Sequence, residues 1–138
     1  LMARLETRAR ARALQALFAW DVRVGTPLDR IAALVWDDLA VAVDERAFAD
    51  ALLQVVQAQA AALDAELSDV TTNWRLERLG AIERCVLRLG AAELSQGITP
   101  PRVIIQESVR LAERFGSAQS ARFVNWVLDA LARRMGRI

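Results

Sequence analysis

The chain has 138 residues, of which 54% are hydrophobic and 25% charged, with a net charge of +1. That is a globular composition, long enough to bury a real core in a single domain over residues 1–138. It holds no histidine and no tyrosine, one cysteine, and eighteen basic residues that are all arginine. Imidazole acid–base chemistry, Schiff-base and P-loop lysines, a His/Cys metal cluster and an internal disulfide framework are therefore excluded. No apolar run approaches the ~20 residues of a membrane span. The N-terminus lacks the apolar block and cleavage site of a signal peptide, so a cytoplasmic protein without a membrane role is expected.

The charge is unevenly placed. Residues 1–12 carry four arginines against Glu6, and residues 102–138 carry seven against Glu107, Glu113 and Asp129. Residues 29–69 carry two arginines against nine acids. Two basic ends around an acidic middle suit a polyanion on one face and another partner elsewhere, or simply solvated helix faces.

Periodicity is helical throughout, and no segment alternates as a strand does. A first helix is expected over about Leu5–Val22, ending near Gly25. On its wheel Arg4, Arg8, Arg12 and Gln15 form one stripe, while Arg10 points elsewhere, beside Leu17. Three guanidiniums ending in an amide suit phosphates and a base edge, or else form a wet stripe. "TPLDRIAALVWDDLA" opens a second helix with Thr26 as N-cap and Pro27 at the first helical position. One long third helix follows Asp44, with Phe48, Leu52, Val55, Val56, Leu63 and Leu67 spaced for burial.

"TTNWRLERLGAIERCVLRLGAAEL" reads as a short helical turn broken near Gly80, then a longer helix to Leu94. Leu79, Ile82, Val86 and Leu89 mark its apolar arc, with Glu83 and Glu93 in or beside it and Arg84 and Arg88 pointing away. A carboxylate in such an arc needs a partner, from the chain's own arginines or from another protein. Cys85 lies in the apolar pattern as a buried thiol. A helix from the prolines after Thr99 to Gly116 follows, then a last one from Ser117 to about Met135. In the last helix Ser120, Phe123, Val124, Val127, Leu128 and Leu131 face inward, while Arg122, Asn125, Trp126, Asp129 and Arg133 face out. An outward tryptophan between arginines is either a stacking platform for an unpaired base or a packing residue for a neighbouring helix. The sum is an all-α bundle of six or seven helices with no catalytic constellation, no cofactor and no metal expected.

Four pieces in order, "RARARALQALF", "NWRLERLGAIERCVLRLGAAEL", "IQESVRLAERFG" and "SARFVNWVLDAL", resemble the NusB family along almost the whole chain. The resemblance implies about seven helices in two packed helical bundles. It also implies a transcription antitermination and ribosomal-RNA processing factor that binds boxA, a short single-stranded RNA element of ribosomal leader transcripts. The implied protein partners are NusE, a small-subunit ribosomal protein, and the RNA polymerase antitermination complex. On that reading Arg8, Arg10, Gln15, Arg122, Phe123 and Asn125 face RNA, with Arg4, Arg12 and Trp126 beside them. Phe18, Glu77 and Glu83 face NusE.

Three positions depart from the family pattern. Glu6 interrupts the basic cluster, Gln106 replaces the asparagine of "INEA", and Trp126 replaces the glycine of "FVNG". Trp126 either extends base stacking or blocks the RNA path. Two other readings fit the residues. One is the RNA-binding domain of a ribosomal-RNA cytosine methyltransferase, disfavoured by the absence of a catalytic domain after Ile138. The other is a helical protein-interaction module without an RNA role, for instance a homodimer through the faces carrying Trp36 or Trp126.

Overall fold

Seven helices make up the described part of the computed structural model, which covers residues 4–23, 25–71 and 79–138. They are α1 (Leu5–Asp21), α2 (Leu28–Asp38), α3 (Val43–Ala58), α4 (Ala60–Val70), α5 (Ala81–Gln96), α6 (Pro101–Phe115) and α7 (Ala118–Arg134). No described helix is long and apolar enough to cross a membrane. The chain divides into two compact units, residues 1–58 and 59–138.

In the first unit α1 packs on both α2 and α3. It can do so because its buried positions include Ala9, Ala11, Ala13 and Ala16, whose small side chains let two neighbours approach, with Leu14 and Leu17 filling the gaps. Trp36 on α2 is buried, and its indole N–H donates to Asp50 Oδ1 on α3 at 2.9 Å. The face carrying Trp36 is thus an interior seam and not a free dimer surface. Between α2 and α3 the chain turns through Ala40, whose φ of 50° is left-handed. The Val41 amide bonds back to Trp36 O and the Ala40 amide to Asp37 O, the paired bonds of a Schellman cap.

Two boundaries differ from expectation. α2 begins at Leu28 and its flanking residue is Pro27, with no side-chain cap. Pro27 keeps an extended ψ of 144°, so the helix starts one residue late, and the Thr26 carbonyl accepts the Trp20 indole N–H instead. The single helix expected after Asp44 is two, α3 and α4, separated at Gln59 with φ −116° and ψ 17°. α3 buries Leu52, Leu53 and Val56 within the first unit, whereas α4 buries Leu63 and Leu67 within the second. Each half follows its own core.

In the second unit α5 is buried along most of its length, from Cys85 to Leu94, and packs against α4, α6 and α7. Gly90 lies where a Cβ would stand 2.7 Å from Leu128 Cδ1, so a glycine permits the close crossing of α5 and α7. Arg88 reaches α4 through two bonds of 3.0 Å to Asp64, and Arg134 on α7 pairs with Glu66 and Asp69. Pro101 opens α6 at its first turn, and Ser117 Oγ caps α7 by accepting the Ser120 amide at 3.1 Å. Beyond α7, Arg137 donates to Leu94 O, tying the chain end to the last turn of α5.

Candidate nucleic-acid interface

Two basic surfaces emerge, one in each unit. The first is the N-terminal half of α1. Arg4, at the helix entrance, is exposed, as is Glu6. Arg8 is half-exposed, and its Nε donates to Glu45 Oε1 on α3 at 2.5 Å. Arg12 Nη1 donates to Gln15 Oε1 at 2.6 Å, three residues on. The stripe of Arg4, Arg8, Arg12 and Gln15 is therefore a surface of held groups, its middle and far members fixed before any ligand arrives. Glu45 also offsets part of the charge that the arginine count suggests, a partner 37 residues away that no local pattern announces.

Arg10 is placed otherwise. It is 6% exposed, with its guanidinium carbon 5.3 Å from the centroid of the Phe48 ring on α3. The wheel set it apart from the ladder, and the structure puts it in the core edge, where the charge rests on an aromatic face. Phe18, farther along α1, is 39% exposed, and Val22 one turn later is more so. The same unit carries a groove lined by Ala19, Ile31, Leu34 and Val35, with Arg23 and Asp38 also lining it.

The second basic surface is the outer side of α7. Arg122, Asn125 and Trp126 are exposed, Trp126 by 55%. Phe123 is half-buried, its ring centroid 6.4 Å from that of Trp126 and the planes tilted by 37°. An exposed indole thus stands beside a half-buried phenyl ring and next to a guanidinium, a set that suits an unpaired base.

Phe123 also lines a pocket with Leu79, Gly80, Glu83, Ser117 and Ser120. In it Glu83 Oε1 accepts a bond from Ser120 Oγ at 2.5 Å, and Ser120 Oγ stands 3.0 Å from Ser117 Oγ. The carboxylate at the start of α5 is satisfied by a hydroxyl of the α7 cap, not left bare in an apolar arc. Glu83 and Phe123, expected to serve different partners, meet in one pocket. Glu77 lies outside the described residues.

Comparison with known proteins gives these surfaces a setting. Residues 7–133 match the NusB family. The chain belongs to the NusB family. The transcription antitermination protein NusB of Sorangium cellulosum is 43% identical over 130 residues, spanning 94% of this chain and 92% of the relative. That of Xylella fastidiosa is 38% identical, spanning 97% and 85%. Among solved structures, T. maritima NusB superposes with a TM-score of 0.88 at 28% identity, over 96% of this chain and 93% of that one. A crystal structure of antitermination factors NusB and NusE in complex with double-stranded RNA also superposes at 0.88, with 27% identity over 96% and 99%. Among all these surfaces, the NusB resemblance in the sequence marked both α1 and the start of α7. It gave no sign of Glu45 as the partner of Arg8.

Proposed function

We propose that this chain is a non-catalytic transcription antitermination factor that binds single-stranded boxA-type RNA of ribosomal leader transcripts together with NusE. It then joins the RNA polymerase antitermination complex in the cytoplasm. The observation that carries the reading is the juxtaposition, on α7, of an exposed Trp126, Phe123 and Arg122, in a chain of NusB-family membership. Stacking surfaces beside guanidiniums suit an unpaired strand, because every base has a face to stack and every phosphate a charge to meet.

The α1 stripe of Arg4, Arg8, Arg12 and Gln15 supplies a second set of phosphate contacts, and Arg10 keeps that helix seated on α3. Phe18, with Val22 beside it, and Glu83 serve NusE, the apolar side chains by burial and the carboxylate by matching a basic partner. The NusB–NusE complex with RNA among the structural neighbours supports both partners.

The test is binding of fluorescently labelled boxA RNA, single-stranded and as a duplex, to the purified chain with and without NusE. Tighter binding of the single strand when NusE is present is the expected result. No binding of either RNA in either condition overturns the reading.

A further inference from the structure

Alongside the stacking pair, α6 and α7 enclose a groove of about 410 Å³ lined by Arg102, Ile105, Gln106, Val109, Asn125, Asp129, Arg133 and Ile138. We propose that this groove is a nucleotide subsite, into which a single RNA strand continues after crossing Trp126. This rests on the RNA-binding reading above and extends it to residues, Arg102, Gln106 and Arg133, that the resemblance did not nominate.

The groove has the chemistry of a nucleotide and not that of a protein side chain. Its rim carries guanidiniums from both helices, Arg102 on α6 and Arg133 on α7, and both are exposed. Its one side-chain carboxylate, Asp129, is already engaged by Arg133 Nε at 2.9 Å, which leaves the terminal nitrogens of that guanidinium for a phosphate. Arg102, Gln106 and Asn125 make no side-chain hydrogen bond within the described residues, so two carboxamides stand open on opposite walls. A carboxamide offers a donor and an acceptor together, as a base edge requires. The floor of Ile105, Val109 and Ile138 is apolar and suits the flat face of a base. The volume falls within the range of small-ligand sites.

Position supports the same occupant. Asn125 on the groove wall and Trp126 on the crest are consecutive on α7, and Trp126 lies beside Phe123, the two rings tilted to each other. Arg122 and Arg133 lie about 17 Å apart along the helix, at 1.5 Å per residue. A strand whose base lies on Trp126 thus finds a cation ahead of it and a cation behind. A protein partner would ask for a larger apolar centre than three aliphatic side chains, and for acids to meet its own cations.

The experiment compares RNA of about six nucleotides with RNA of about twelve, both containing boxA and both within the usual span of single-strand sites. Affinities are measured for the wild-type chain, Arg102→Ala/Gln106→Ala and Arg102→Lys/Gln106→Asn, with circular dichroism melting to confirm folding. The alanine pair is expected to bind the longer RNA roughly 5- to 30-fold more weakly, with the shorter RNA unaffected and the conservative pair intermediate. The longer RNA carrying 4-thiouridine in its 3′ or 5′ half is expected to photo-crosslink to α6. If the wild type binds both RNAs, yet the alanine pair binds the longer one equally well and no crosslink maps to α6, the subsite is overturned while the RNA reading stands. If the alanine pair instead loses NusE and keeps RNA, the groove is a protein surface and the subsite is overturned. If the wild type binds neither RNA, with or without NusE, the underlying function fails and takes the subsite with it.

Discussion

The guanidinium carbon of Arg10 sits 5.3 Å from the centroid of the Phe48 ring, buried between α1 and α3. An arginine so placed holds two helices together through its stem and its cation, while Arg8 and Arg12 of the same helix remain half-exposed. Arg10→Ala is expected to lower stability by about 1–3 kcal/mol. At temperatures where the variant remains folded, the salt slope of its RNA affinity should equal that of the wild type. Urea denaturation and a salt titration decide it. A slope reduced by a full phosphate with stability unchanged would make Arg10 a ligand contact instead.

Arg12 is the complementary case, because its Nη1 is held by Gln15 on the outer side of the helix. Arg12→Ala should flatten log Kd against log salt by about 0.7 for a single strand, the share of one phosphate. The stability change should stay within about 0.5 kcal/mol, as for most surface replacements. Removing Gln15 should weaken binding without changing the slope, since an amide displaces no counterion.

How much of this was legible in the sequence differs from residue to residue. Pro101, Gly116 and Ser117 punctuate α6 and α7 so clearly that both helices fall where their signals place them. The break at Gln59 had no such mark: "VVQAQAAALDAEL" holds no glycine or proline and is rich in alanine, and the interruption comes from two cores competing for its ends. The wheel separated Arg10 from the ladder by period alone. It could not supply Phe48, nor Glu45 for Arg8 or Ser120 for Glu83, since each partner is brought in by the tertiary fold from more than thirty residues away. Trp36 misled for the same reason, its indole being spoken for by Asp50 on the next helix.

Glu83 offers a test that separates charge from structure. Its carboxylate accepts the Ser120 hydroxyl, and Glu83→Gln retains an acceptor oxygen at that place while removing the charge. The melting temperature should change little. NusE affinity should fall by about 3- to 10-fold at low salt and the difference should shrink at high salt, as for a charge at an interface rim. Calorimetric titration at two salt concentrations reads both effects.

Ala40 carries a left-handed backbone, φ 50°, at the cap of α2, whereas Gly136 fills the equivalent place after α7 with φ 72°. Both turns close with the same paired bonds, Val41 N to Trp36 O in one and Arg137 N to Ala132 O in the other. A Cβ in this conformation costs about 1 kcal/mol or more, offset in part by the greater freedom of glycine in the unfolded chain. Ala40→Gly should therefore stabilise the protein by about 0.5–1 kcal/mol and raise its melting temperature by a few degrees. Scanning calorimetry would show it, and RNA affinity should not move.

Trp126 decides whether the outer face of α7 reads RNA by stacking. Its ring is largely in solvent, tilted 37° from Phe123 and one turn from Arg122. A side chain that only obstructed the RNA path would lower affinity in the wild type and release it on removal. Stacking predicts the reverse, because each base laid on an aromatic ring contributes about 1–3 kcal/mol. Trp126→Gly should thus weaken boxA binding by roughly 5- to 150-fold. Trp126→Ala should do the same without glycine's cost to the helix, and Trp126→Phe should restore much of the loss. Quenching of tryptophan fluorescence on RNA addition, absent in the variants, would place the base on this ring. A gain in affinity for both the glycine and alanine variants would mean that the tryptophan stands in the way.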